Sequence, residues 1–72
     1  MRYIAVFPTL TLAQKAARVL KAENIHVEVV KVDSTRTRRG CSWGVAFDDS
    51  KLLGVRMTLS NKSLSEREII RE

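Results

Sequence analysis

Residues 3–20 decide the fold, and they read YIAVFPTLTLAQKAARVL. The first five are apolar β-formers that stop at Pro8, which is typical of a central strand with little exposed surface. After the proline, apolar residues return at three- and four-residue steps, the repeat of one face of an α-helix. The stretch therefore predicts a strand followed by an amphipathic helix that runs to about Glu23.

The helix has two candidate N-caps. Thr9 follows the strand directly, whereas Thr11 stands three residues before Gln14, which is the spacing of a capping box. Asn24 is expected to end the helix in a left-handed conformation. The apolar face contains three alanines, which allow the helix to lie close to a sheet. Its members are Leu12, Ala13, Ala16, Ala17 and Leu20.

Two further strands are predicted downstream. Residues 25–32 are rich in β-branched side chains, and residues 45–47 form a short apolar run. Residues 51–60 fit a helix through Leu52, Leu53, Val55 and Leu59, but the same stretch also alternates like a strand. The preceding Asp48 and Asp49 are candidate N-caps and favour the helix. Residues 66–72 are predicted to be an edge strand.

The predicted order is β-α-β-β-α-β over one domain, residues 1–72. This order is typical of the α+β ferredoxin-like arrangement, a four-stranded antiparallel sheet with both helices on one face. The first and third strands are expected to lie at the centre and to run parallel. The third strand would then start near the C-terminus of the first helix, away from both helix N-termini.

The most distinctive stretch is residues 36–47, which read RTRRGCSWGVAF and run from the basic loop predicted over residues 33–40 into the third strand. It holds the single cysteine, Cys41, and nearby cations favour the reactive thiolate by lowering the pKa of a thiol. We interpret Cys41 as a nucleophile, although a lone cysteine is more often a small buried hydrophobe. Arg36, Arg38 and Arg39 are predicted to stabilise the thiolate or to steer a partner protein. Gly40 and Gly44 would let a partner approach the backbone, and Trp43 would be an aromatic anchor at an interface.

The chain resembles a family of small prokaryotic proteins described as selenium/sulfur carrier-like. The resemblance covers nearly the whole chain: the opening strand, the alanine-rich helix, the valine-rich second strand and, above all, residues 40–47. In that family a cysteine stands just before an apolar strand, at the place of Cys41, and Gly44 also matches in position. The resemblance implies a carrier that holds sulfur or selenium as a persulfide or selenopersulfide and exchanges it with donor and acceptor proteins.

Other functions remain open at this point. A net charge of +5 permits nucleic-acid binding, and a domain of 72 residues also suits a homodimer or an interaction module. A stand-alone enzyme has the least support, because no acid/base pair, metal-ligand set or phosphate-binding motif is present and no cofactor is implied. His26 has no partner at ligand spacing, so it is predicted to be a surface residue. A single cysteine and the absence of any apolar span predict a cytoplasmic protein without membrane contact.

Overall fold

The computed structural model describes residues 1–33, 42–64, 66 and 68–72. These residues form a β-α-β-β-α-β chain, which confirms the predicted α+β ferredoxin-like arrangement. A 3-10 turn at Asp49–Lys51 precedes the second helix. The elements are β1 (Arg2–Phe7), α1 (Leu10–Ala22), β2 (Glu28–Val32), β3 (Ser42–Asp48), α2 (Leu52–Asn61) and β4 (Glu68–Arg71).

The described strands form one antiparallel sheet in the order β2-β3-β1-β4. β1 lies between β3 and β4, and residues 4–7 of β1 are at most 1 % exposed. The prediction of a central first strand is therefore confirmed. The predicted parallel direction of the first and third strands is wrong, because β1 and β3 pair antiparallel, with Arg2 opposite Asp48 and Phe7 opposite Trp43. The helical connection makes β1 and β2 run the same way, and the hairpin that follows must reverse β3.

The two faces of the sheet carry separate apolar clusters. On one face, Ala5, Phe7, Val45 and Phe47 pack with residues of both helices. Successive side chains of a strand point to opposite faces, so the residues between them form the second cluster. Its buried members are Ile4, Val6, Val32 and Ala46. We call the first surface the helix face. We call the second the open face because neither described helix contributes to its cluster, although these four residues are at most 2 % exposed.

α1 begins after Thr9, whose hydroxyl accepts a hydrogen bond from the Leu12 amide at 3.2 Å. The capping-box alternative at Thr11 is therefore wrong, since Thr11 already lies inside the helix. Asn24 has a φ of 61°, the left-handed conformation expected after the helix. Ala13, Ala16 and Leu20 are fully buried against the sheet, which explains why this helix face is so rich in alanine.

α2 confirms the helical interpretation of residues 51–60. Val55 and Leu59 are buried and Leu52 is partly buried, as a helical repeat requires. Leu53 was expected on the same face but is 70 % exposed, because one residue is a turn of about 100° around a helix. The predicted edge strand is confirmed as β4, whereas the second strand starts at Glu28, three residues later than predicted.

Candidate functional site

β1 and β2 end, and β3 begins, at the same end of the sheet, where the basic loop is attached. Val32, the last residue of β2, pairs with Ser42, the first residue of β3, and both are at most 2 % exposed. Phe7, the last residue of β1, pairs with Trp43. We call this the loop end of the sheet. Pairing on both sides of β3 fixes the point at which the chain enters the sheet.

Most of the predicted site residues lie outside the described residues. They are Cys41, Arg36, Arg38, Arg39 and Gly40. Their proposed roles stay predictions. Ser42, which follows Cys41 in the sequence, is the first described residue after this gap and begins β3 at the loop end of the sheet.

The loop end of the sheet also holds the N-terminus of α1. Phe7 ends β1, and the Thr9 cap follows two residues later. The start of β3 therefore lies beside the N-terminus of α1, where the helix dipole is positive and the first turn contains no acidic residue. We expected this point to lie near the C-terminus of α1. That expectation is wrong because it assumed that β1 and β3 run parallel.

Gly44 lies at the crowded centre of the open face. It is buried and stands between Val6 of β1 and Val30 of β2. A Cβ atom at this position would be 2.5 Å from Ile4 Cγ2 and 2.8 Å from the Ala5 carbonyl oxygen. Close approach of β1 thus accounts for this glycine without a partner protein.

Trp43 and the other three aromatic residues all lie on the helix face. Trp43 is partly buried and packs against the helix-face core, and the rings of Tyr3 and Phe47 are 6.3 Å apart. Sheet-type RNA-binding domains stack bases on aromatic side chains of an open sheet surface. In the part of the chain that the structure describes, the open face has aliphatic side chains instead, so the nucleic-acid alternative gains no stacking surface.

A groove between α1 and β2 brings together residues that sequence reasoning did not combine. Its volume is roughly 390 Å³, and Arg18, Lys21 and His26 contribute side chains to it. In the sequence, Arg18 and Lys21 lie outside the apolar face predicted for the first helix, and both are exposed in the structure. His26 is exposed, as predicted. The three-residue spacing of Arg18 and Lys21 was visible in the sequence, but only the tertiary structure shows that β2 lies beside them.

The opposite end of the sheet is held by hydrogen bonds and exposed ion pairs. Asp48 accepts bonds from the Ser50 hydroxyl at 2.5 Å and the Ser50 amide at 3.1 Å, and these bonds lower the pKa of Asp48. Arg2 contacts Glu28 at 2.8 Å and Glu72 at 3.1 Å. The Glu28 hydrogen bond is the main cause of the raised pKa of Arg2. Asp48 is therefore a cap, as its position before a helix predicted.

Among the described residues, no helix has the length and apolar character needed to cross a membrane.

Comparison with known proteins gives one family. Neither a curated protein nor a solved structure matches the chain significantly. A family model described as "Putative Se/S carrier protein-like" matches residues 2–71, nearly the whole chain, so the chain belongs to this family.

Proposed function

We propose that the protein carries sulfur or selenium on Cys41 between partner proteins, as a persulfide or a selenopersulfide. The observation that carries this proposal is the match to the carrier-like family over residues 2–71, a range that includes the single cysteine. We further propose that residues 1–72 act as one domain in the cytoplasm. A reducing compartment suits a chain whose one cysteine has no intramolecular disulfide partner.

The transfer step needs one nucleophile and one leaving group. The Cys41 thiolate attacks the terminal sulfur of a persulfide on the donor protein. A bond forms between Cys41 Sγ and that sulfur while the sulfur–sulfur bond of the donor breaks, and its electron pair leaves on the donor thiolate. No external oxidant is required, and a thiolate of the acceptor repeats the step in the forward direction. A selenium atom in the terminal position follows the same balance.

The basic loop suits this chemistry through its charge. Arg36, Arg38 and Arg39 stabilise an anionic sulfur and attract acidic partner surfaces, in a chain of net charge +5. The N-terminus of α1, at the loop end of the sheet, adds a positive dipole end on the same side. Both effects favour the thiolate over the thiol.

Mass spectrometry tests the carrier function directly. The protein is incubated with a persulfide-bearing donor protein, desalted without reductant and analysed intact. We expect a mass increase of one sulfur atom that maps to Cys41 and disappears after treatment with a thiol reductant. Cys41→Ser is the matched control, and it should remain unmodified. An unmodified wild-type chain beside a donor of proven activity would contradict the proposal.

The arginine role has its own experiment. Arg36, Arg38 and Arg39 are replaced together by glutamine, and the thiol is titrated by its rate of alkylation as a function of pH. We expect the pKa of Cys41 to rise in the triple variant, because three positive charges near the thiolate are lost. An unchanged pKa would remove the arginines from the mechanism while leaving the carrier proposal to the mass measurement.

A further inference from the structure

The groove between α1 and β2 has an apolar floor and basic walls. Ala17, Val27 and Val29 are partly buried against the helix-face core and form the floor. Arg18 and Lys21 are exposed side chains of α1 that line the same groove. No acidic side chain lines this groove among the residues that the structure describes. Its surroundings therefore favour a ligand with negative charge and a narrow apolar surface.

One side of the groove is β2, an edge strand of the described sheet. β2 is the terminal strand in the order β2-β3-β1-β4, so within the described part of the chain only β3 pairs with it. Alternate residues of an antiparallel edge strand turn their backbone N–H and C=O groups away from the sheet. An extended peptide can add to such an edge through main-chain hydrogen bonds.

The charges along β2 differ between its two faces. Lys31 pairs with Trp43 and therefore shares the helix face with the groove. Glu28 lies on the open face, where Arg2 donates a hydrogen bond to it at 2.8 Å. The acidic residue of β2 thus has a basic partner on the other face, and the groove side keeps the positive charges of Arg18, Lys21 and Lys31.

We infer that β2 is a docking edge for an extended acidic segment of a partner protein. The segment pairs with β2 as a fifth strand, and every second side chain of it faces the groove. Some of these groove-facing side chains are apolar and lie over Ala17, Val27 and Val29, and the others are carboxylates directed toward Arg18 and Lys21. This surface is formed by residues other than the Cys41 loop, so the inference does not rest on the carrier function.

A second copy of the chain fits this edge poorly. Antiparallel pairing of β2 with β2 of another copy would bring the Arg18, Lys21 and Lys31 charges of both copies to one side of the joined sheets. Like charges placed together in this way oppose association. Charge complementarity therefore selects an acidic segment over self-pairing.

The test uses a synthetic peptide of about seven residues, within the usual range of strand lengths, with the sequence Val-Thr-Glu-Thr-Val-Thr-Glu, so that valine and glutamate share one face and threonine occupies the other. Binding is followed at low salt by amide chemical shifts of the full-length protein. We expect the largest shift changes in β2 and along the groove side of α1. The double variant Arg18→Glu with Lys21→Glu should weaken binding by at least about tenfold, because two attractive contacts become repulsive. Lys51→Glu with Arg56→Glu changes the net charge equally at exposed sites outside the groove and should have little effect.

Backbone pairing is tested on the peptide, which avoids variants that fail to fold. Alternate amides are N-methylated in one of two frames, and only one frame should abolish binding, since a paired strand uses one of its two edges. Absence of binding at millimolar peptide would overturn the inference. Equal binding of the same peptide with lysine in place of each glutamate would also overturn it. Two results would assign the edge to other partners: β2 shifts that depend on protein concentration alone, or an oligonucleotide that binds the groove instead.

Discussion

Gly44 shows how strongly one side-chain atom can be excluded at the centre of a small sheet. The space that its Cβ would need is already occupied by a side-chain carbon of Ile4 and by the backbone of Ala5. The sequence indicated that this glycine matters, but the proposed reason was the approach of a partner. Only the cross-strand register reveals the close neighbour inside the chain.

We predict that Gly44→Ala destabilises the fold by about 1–3 kcal/mol, the usual range for inserting an extra carbon into a packed core. Both the Ile4 side chain and the β1 backbone must move, because the added atom would be 2.5 and 2.8 Å from them. The free energy of unfolding in urea measures the effect.

Gly54→Ala is the matched control. An added Cβ there would be 3.4 Å from Ile25 Cδ1, near ordinary contact distance, within helix α2. We expect a gain of about 0.5–1 kcal/mol, since alanine favours a helix over glycine. Equal stability of the two variants would contradict the packing role of Gly44.

A second residue-scale prediction separates the two threonines. Thr9→Ala removes the hydroxyl that accepts from the Leu12 amide and should cost about 0.5–2 kcal/mol of unfolding free energy. Thr11→Ala changes an exposed residue inside α1 and should stay within about 0.5 kcal/mol of the wild type. Thermal or urea unfolding of both variants measures this. The reverse order would return the cap to Thr11.

At the scale of elements, the periodicity of the sequence was sufficient for the type and order of strands and helices. Residues 3–20 predicted β1 and α1 because their strand and helix repeats are long and uninterrupted. Residues 51–60 fitted two repeats, and the aspartates before them indicated the correct one. The boundaries were less accurate, since Ile25 is buried in the helix-face core without belonging to β2.

Asp48 gives the start of the second helical segment a pH dependence. Its pKa in the folded chain is lowered, chiefly by the Ser50 hydroxyl, so folding favours the carboxylate. The stabilisation is present above the unfolded pKa of about 3.9 and is lost as pH falls through the folded value. We predict that the wild type loses more stability than Asp48→Asn between neutral pH and the acid range.

Urea unfolding at both pH values measures this difference. Asparagine keeps a capping oxygen but does not titrate in this range, so the comparison isolates the proton. Asp49→Asn is a suitable control on the neighbouring carboxylate. Parallel stability curves for the wild type and Asp48→Asn would show that the lowered pKa has no consequence for folding.

For the whole molecule, the decisive difference between expectation and structure is the direction of one strand. The sequence patterns identified β3 and its place beside β1, but a residue pattern does not record strand direction. The connections do: a helical crossover followed by a hairpin leaves β3 antiparallel to β1. Because of this reversal, β3 starts beside the N-terminus of α1 and not beside its C-terminus. The electrostatic surroundings expected for Cys41 change accordingly. The groove between α1 and β2 could not be predicted from the sequence either, because its two sides are brought together only by the tertiary structure.

The exchange of helix ends predicts a difference between two variants of α1. Thr11→Glu places a negative charge in the first turn, on the side of the sheet where β3 begins, and should raise the pKa of the Cys41 thiol. For scale, a single charge about 10 Å from any thiol, in high dielectric and at low ionic strength, raises the pKa of that thiol by about 0.3. Ala22→Glu adds the same charge to the last turn of the same helix, about 16 Å farther along its axis, and should have a smaller effect. The pH dependence of alkylation measures both variants, and salt should reduce both shifts. A larger rise of the thiol pKa in Ala22→Glu than in Thr11→Glu would indicate that the thiol lies nearer the C-terminus of α1. That result would contradict the prediction.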